Sequence, residues 1–444
     1  MRTKSMKVID GKLYVGKYSL EYLADTYKTP LYVYDEIGIL DKIKTFKKYF
    51  KSKKLNCEVI YASKAFLAPY LCLLLEKEGF GIDAVSLGDM YIIKRSNFPM
   101  NRVILHGNNK SVDELTFAID ENVEYIVVDS YNELVTLEKL ATEKQKQVNT
   151  LLRVNPGIHA DTHAYIETSL LSSKFGESIH DEAILQKIVS VYQNSKYLNL
   201  AGFHAHIGSQ INNPKSFTFE VKVMLEFIRR FQEKFNFKIN TLNLGGGFGI
   251  KYLDDDKEIK LDEMLTEIIK SVEEGIEKYN LEIKKLMIEP GRSLVGDSGF
   301  TLYKCGGIKK TFGGKKYIFI DGGMADNIRP ALYQAKYTIE VANRIKKDVD
   351  EVEEYNHLLS VYDVVGKCCE SGDIIAQNVN IKEVYPNDTI VVYCTGAYTY
   401  SMSMNYNGLT RGAVIFVNNE KITEVIKRES LEDLVKTYNF EVKL

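Results

Sequence analysis

A chain of 444 residues is long enough for two domains that each bury a sizeable core. Its 58 Lys and Arg nearly cancel its 60 Asp and Glu, so no basic face advertises nucleic acid or anionic lipid, and the expected partner is a small molecule or another protein. No apolar run approaches the roughly 20 residues of a membrane helix, and the polar start MRTKSMKVIDGK is unlike a signal peptide, so the expected location is cytoplasmic. The six cysteines, at 57, 72, 305, 368, 369 and 394, lack CxxC or Cys/His ligand spacing, which points to free thiols and against disulfides or structural zinc.

Short alternating runs at 12–15 and 31–34 read as strands, and an amphipathic helix follows over 36–50. The pattern then becomes regular. Strands are expected at 58–62, 82–86, 103–106, 125–128, 151–154, 202–206, 242–244 and 286–288. Helices are expected between them, including 65–76, 112–122, 132–143, 181–194, 216–235 and 261–279. Eight strands alternating with helices over about 250 residues predict a (β/α)8 TIM-like barrel. From about Gly299 the rhythm changes: β runs at 317–320, 359–364, 389–394 and 414–417 have no regular helix between them. The expected α/β fold is therefore a barrel over 36–298 plus a C-terminal antiparallel β domain of 1–35 and 299–444 that includes the N-terminal strands. The acidic run 348–354 reads as an exposed loop.

Barrel chemistry collects at the C-terminal ends of the strands. There the sequence places Lys64, Asp83, His106, Asp129, Arg153 with Asn155, His204 with His206, Gly245 to Gly247, and Glu289 with Arg292. Lys64, after four residues of β character, is an amine that apolar neighbours could tune to attack a carbonyl; a solvated lysine is the plain alternative. His204 and His206, two apart, suit a metal pair, a core and an exposed histidine, or one imidazole stacked flat on an aromatic cofactor. Three glycines after the seventh strand suit a phosphate cradle or merely a tight turn. Arg292 can clamp phosphate, and a buried Glu289 can pair with a protonated heterocyclic nitrogen; the alternative is a salt bridge between them. Amine, cradle, imidazole plate and acid together suit pyridoxal 5'-phosphate. No metal site is expected.

The strings YASKA, LRVNPG, THAYIETSLLSSKFG, HAHIGSQI, LNLGGGFGI, EPGRS, DNIRPALY, CCESGD and GAYTYSMSMNYNG occur in order from about residue 30 to about 418. Together they resemble the diaminopimelate decarboxylases, fold-type III pyridoxal-phosphate enzymes related to ornithine decarboxylase. That resemblance implies Lys64 as the lysine that binds the cofactor, His206 stacked on its ring and Glu289 on its ring nitrogen. It implies Ser209, Gly245, Gly246, Gly247, Arg292 and Tyr398 at the phosphate, with Asp83 also in the cofactor site. Arg292, Arg329, Tyr333 and Tyr398 are implied at the substrate, with Arg292, Arg329 and Tyr333 on its distal carboxylate. Cys369 and Glu370 are implied as a pair delivered across a homodimer interface, the thiol near the reacting carbon and the carboxylate at the distal amino group. Two positions depart from the family pattern: Gly408 to Gly412 replaces an Arg-Pro-rich stretch, and His159 stands where an acid is common.

The expected reaction is decarboxylation of meso-diaminopimelate to L-lysine. Rivals are a decarboxylase of D-lysine, D-ornithine or another amino acid, a non-catalytic pyridoxal-phosphate protein, and a zinc hydrolase using His204 and His206. Arg329 favours the first, because a distal carboxylate calls for a cation. Arg329 as a surface residue and Cys369 as a core thiol are the plain alternatives, and Cys368 reads as core.

Overall fold

The computed structural model describes residues 1–158, 173–345, 359–382 and 384–442. His159, most of the THAYIETSLLSSKFG string and the acidic run 348–354 lie outside the described residues. The chain forms two compact units. One comprises Lys42–Ile250 and Ile259–Leu294; the other comprises Met1–Asp41, Lys251–Glu258 and Val295–Leu444.

At the N-terminus, β1 (Met6–Ile9), β2 (Lys12–Val15) and β3 (Tyr18–Ser19) form a separate three-stranded sheet. Tight reversals at Asp10-Gly11 and Gly16, all at positive φ, pair these strands locally, so the run at 12–15 does not join the larger sheet. The strand β4 (Leu31–Asp35) does join it.

In the first-named unit, β5 (Asn56–Ala62), β6 (Gly81–Ala84), β7 (Val103–Leu105), β8 (Tyr125–Val128) and β9 (Val148–Asn155) are followed by the two-residue β10 (Glu177–Ser178), then β11 (Leu198–His204), β12 (Thr241–Asn243) and β13 (Lys285–Ile288). All pairings are parallel, and the sheet closes through β13 on β5 and β8 on β9. The expected eight-stranded (β/α)8 barrel is the fold. Side-chain hydroxyls just past the strands start its helices: Ser86 and Ser130 cap Leu87–Arg95 and Tyr131–Lys144, and Ser111 forms a capping box with Glu114 at Val112–Asp120. The expected helix over 65–76 is displaced. A 3-10 turn occupies Ser63–Ala65 and the helix runs Pro69–Glu78, because proline lacks the N–H an interior position needs and is tolerated only in the first turn.

In the other unit, β14 (Gly299–Lys310), β15 (Lys316–Ile320), β16 (Ile339–Val341), β17 (Leu359–Val365), β18 (Ile374–Lys382), β19 (Thr389–Val392), β20 (Ala413–Val417) and β21 (Ile422–Ile426) build a sheet with β4. The pairings are mainly antiparallel; β15 with β17 and β4 with β20 are parallel. Sequence patterning missed β14, the longest described strand. It passes from β19 to β15 between Lys304 and Cys305, and its register with β15 then breaks between Cys305 and Gly307; the glycine pair at that break reads as a turn. All six cysteines are free, Cys368 buried and Cys369 exposed. Among the described residues no helix is long and apolar enough to cross a membrane.

The helix Pro214–Phe235 buries Phe217, Val221, Met224, Leu225, Ile228 and Phe231, and in the same face Glu220. Neither Glu220 oxygen has a hydrogen-bond partner among the described residues. Burial therefore pushes its carboxyl well above the usual range. A group raised in the folded state stabilises fully only below its unfolded value, and that stability is lost as pH rises above about 4.3. We expect Glu220→Met to raise Tm, relieving a cost on the order of 2 kcal/mol, with the gain growing between pH 5 and pH 8 in thermal scans followed by circular dichroism. A gain that does not change with pH would contradict an unpartnered carboxyl.

Candidate active site

Strand alternation sets what the barrel interior holds. Ile60, Ile104, Tyr125, Val127, Leu151, Ala201 and Met287 form one buried apolar cluster contributed by six barrel strands. Two residues further along a strand the side chain points the same way. From Met287 that step gives Glu289, from Ile104 it gives His106, and from Leu151 it gives Arg153. β11 reaches the same result through a bulge. Its register shifts between Leu200 and Gly202, and a Cβ at 202 would lie 1.8 Å from the Thr241 carbonyl oxygen, so only glycine fits. Phe203 then packs its ring 4.9 Å from both Phe227 and Phe231 on the neighbouring helix, and His204 faces inward.

Glu289 sits at the centre of this polar layer. Its Oε1 accepts from His106 Nε2 at 2.7 Å and from Asn243 Nδ2 at 2.7 Å, and its Oε2 accepts from His204 Nε2 at 3.1 Å. Burial alone would push this carboxyl up; its electrostatic and hydrogen-bond interactions with the His106 and His204 imidazoles outweigh it and hold it well below the usual range. Burial also pushes His204 down, to about 4, so at neutral pH His204 contributes a neutral N–H donor. Of the three readings of His204 and His206, the same-face metal pair does not form. The strand ends at His204, and His206 lies in the following loop, where its Nδ1 accepts the Gly246 N–H at 3.2 Å. Ligand-type atoms of His106, His204 and Glu289 do lie within 4.8 Å of one another. Their contacts have the lengths of direct hydrogen bonds, and the non-ligating Asn243 amide competes for the same carboxylate oxygen.

Lys64 is exposed at the 3-10 turn after β5. The buried Asp83 holds that turn by accepting the Ser63 N–H at 3.0 Å. Burial, and after it the neighbouring Glu289 carboxylate, push Asp83 up to about 6, against the opposing interactions with His106 and Lys64. Loss of solvation, with the charges of Lys64 and Arg153, holds His206 well below its ordinary value and keeps the ring neutral. Arg153 itself turns to Asp129 at 3.8 Å and lies over the Phe175 ring.

At the same barrel end, Arg292 Nη2 donates to Ser209 Oγ at 2.9 Å. The glycines at 245 to 247 are required by close backbone approach. A Cβ at Gly246 would lie 2.1 Å from the Glu289 carbonyl oxygen, and one at Gly247, φ +107, 2.4 Å from that of Gly208. Gly245 N–H is spent on Asn243 Oδ1 and Gly246 N–H on His206; the Gly247 N–H has no acceptor among the described residues. The residues thus fit pyridoxal 5'-phosphate: a serine, an arginine and a loop amide for phosphate, a neutral imidazole for the ring face, an ionised acid for the ring nitrogen, an accessible amine for the aldehyde.

The other unit carries the remaining expected residues. Arg329 is buried, donates through Nη1 to the hydroxyls of Tyr252 (2.9 Å) and Tyr337 (3.1 Å), and has Tyr333 one helical turn away with its ring 5.9 Å from the guanidinium carbon. Its Nε has no partner among the described residues, a buried cationic donor suited to an anion. The surface reading of Arg329 is excluded. Cys369 and Glu370 lie on an exposed turn where the Cys369 N–H reaches Asn407 Oδ1 at 2.7 Å, so the core reading of Cys369 is excluded too. Tyr398 holds φ +59, an outlier for an aromatic residue of the kind that collects at functional sites.

Sequence reading found Glu289 but not what surrounds it. His106 stood among the strand-end residues without a role and Asn243 was passed over. Their only signal is a polar side chain where a barrel interior wants a branched apolar one.

Residues 38–296 match the family model of the pyridoxal-dependent decarboxylase, pyridoxal binding domain. The chain is 43% identical over 426 residues to the diaminopimelate decarboxylase of Bacillus subtilis, covering 96% of this chain and 95% of that one. It is 38% identical to that of Staphylococcus aureus, covering 96% and 97%. In structure it resembles the diaminopimelate decarboxylase of m. jannaschii solved with L-lysine, at TM-score 0.88 and 31% identity over 99% of each chain. With this agreement over nearly the full length, the chain belongs to the diaminopimelate decarboxylases, a family of pyridoxal-dependent decarboxylases.

Proposed function

We propose that the protein removes one carboxyl group of meso-2,6-diaminopimelate as carbon dioxide and returns a proton to the same carbon, leaving L-lysine. The observation that carries the chemistry is Glu289, buried, ionised and hydrogen-bonded from three sides at the barrel end that also holds Lys64 and the Ser209–Arg292 pair. The substrate assignment is supported by the relatives' activity and by the partnerless Nε of buried Arg329.

When bound, pyridoxal 5'-phosphate supplies the electron sink that the departing carboxylate requires. Lys64 anchors the cofactor. Ser209, Arg292, the Gly245, Gly246 and Gly247 loop and Tyr398 hold its phosphate. Neutral His206 lies against one ring face, Glu289 keeps the ring nitrogen protonated, and Asp83 holds the lysine turn. Arg329 and Tyr333 take the distal carboxylate, with Arg292 and Tyr398 also against the substrate. Glu370 takes the distal ammonium, and Cys369 Sγ returns the proton to the α-carbon, with Lys64 as second candidate. The exposure of Cys369 and Glu370 supports their delivery from a partner subunit in a homodimer. We assign residues 36–298 to cofactor binding, 1–35 and 299–444 to the β domain, and the protein to the cytoplasm, in keeping with its balanced charge and free thiols.

Cofactor-loaded protein is expected to release carbon dioxide and L-lysine in equal amounts from meso-diaminopimelate; faster release from lysine or ornithine would overturn the assignment. Dialysis against a metal chelator should leave the rate unchanged, whereas stripping pyridoxal 5'-phosphate should abolish it; the reverse pattern would restore a zinc hydrolase. Borohydride reduction of the loaded protein should leave the pyridoxyl mass on the peptide containing Lys64, and label elsewhere would refute that role. Arg329→Met should lower kcat/KM for meso-diaminopimelate by about a hundredfold, since stranding a substrate charge without its buried counter-ion costs on the order of 3 kcal/mol. An unchanged value would place the distal carboxylate elsewhere.

A further inference from the structure

The three donors around Glu289 come from three separate strands, and their identities can be read from their other bonds. Asn243 Oδ1 accepts the Gly245 N–H at 2.9 Å, which leaves Nδ2 as the atom facing Glu289 Oε1. An amide nitrogen only donates, so Oε1 must be an acceptor. His106 Nε2 shares that oxygen, and the His106 and His204 rings lie 4.8 Å apart, edge on, with the carboxylate bridging their Nε2 atoms. His204 Nδ1 is buried without a partner among the described residues, which fits the tautomer carrying its proton on Nε2. Oε2 receives one donor where a carboxylate oxygen has room for two. The remaining groups that act on Glu289 by charge are Asp83 in β6, with Lys64 beside it, Arg153 from β9 and His206 from the loop after β11.

We infer that His106, His204 and Asn243 are positioning residues that hold the Glu289 carboxylate in one orientation as an acceptor only, so that the proton it shares with the cofactor ring stays on the ring nitrogen. This rests on reading Glu289 as the ring-nitrogen partner. Asn243 has a second part: by bonding Gly245 with one end and Glu289 with the other, it ties the phosphate loop to the acid, and the Glu289 N–H to Gly245 carbonyl bond of 2.7 Å closes the same link through the backbone. Phosphate position and ring-nitrogen position are thereby set by one hydrogen-bonded unit.

The test compares binding to the apoprotein of pyridoxal 5'-phosphate and of its deaza analogue, in which carbon replaces the ring nitrogen, by absorbance titration from pH 5.5 to 9. Wild-type protein should prefer the nitrogen-containing cofactor by about tenfold or more, the worth of one charge-assisted hydrogen bond. His106→Leu and His204→Leu should reduce that preference to within about threefold, and its loss on acidification should begin about one pH unit higher, because a carboxylate deprived of donors binds a proton more readily. His106→Gln and His204→Gln, which keep an N–H at the end of the side chain, should restore it in part. In turnover the leucine variants should lose kcat while KM stays within about twofold, since the effect lies on the cofactor and not on substrate contact. Asn243→Ala carries the same expectation should a leucine variant fail to fold. Undiminished preference in the leucine and alanine variants overturns the inference and leaves Glu289 as the ring-nitrogen partner; no preference in wild type overturns that reading and the inference with it.

Discussion

A carboxylate with about 7% of its surface exposed remains ionised only if its surroundings replace the water it has lost. Around Glu289 that replacement is three hydrogen bonds, two to one oxygen and one to the other. Each donor belongs to a different strand end, so the acid cannot be kept in this state by local structure. It depends on closure of the barrel, which brings His106, beyond β7, across the interior to elements on β11, β12 and β13. The apolar cluster from Ile60 to Met287 supplies the packing that fixes those strands, and the polar layer two residues further along uses the geometry so obtained. Stability and chemistry thus occupy successive layers of one interior.

The same constraint accounts for the glycines. At Gly202 and Gly246 a side chain would collide with a neighbouring strand's backbone at 1.8 and 2.1 Å. The first permits the bulge that turns His204 inward, and the second lets the loop after β12 lie directly against Glu289. The phosphate-cradle role proposed for the loop is therefore not needed to explain its glycines. Two of its three amides are already committed inside the protein, and the stiffness this confers on the loop is what a preorganised anion site requires.

Much of the architecture was legible because barrel strands are short apolar runs at regular spacing, and strand ends are where polar residues stand out. Lys64, Glu289, Arg292 and the glycine loop were all visible in that way, and Ser209 came from the family resemblance. What escaped depends on long-range pairing. β11 ends at His204, so His206 lies in the loop beyond it and period-two counting from one histidine to the other does not apply. Asn243 was hidden inside a strand whose interior direction is known only once the barrel is closed. Pro69 should have ended the helix reading at 65–76, since its missing N–H is a local property. β14 was lost because its glycine pair marks a register break in its pairing with β15 rather than a turn.

The remaining unit bears on the substrate. A guanidinium buried among tyrosines, with an unmatched N–H, is costly unless an anion completes it, and the proposed role of the exposed thiol–carboxylate turn requires a partner subunit. In the proposed reading these features would set which amino acid is chosen, and the ionised Glu289 would set whether the chemistry proceeds at all. The most direct test of that central point is the 15N resonance of ring-labelled pyridoxal 5'-phosphate bound to the wild-type protein at neutral pH. The account predicts the signature of a protonated ring nitrogen, and a resonance of the unprotonated ring would contradict it.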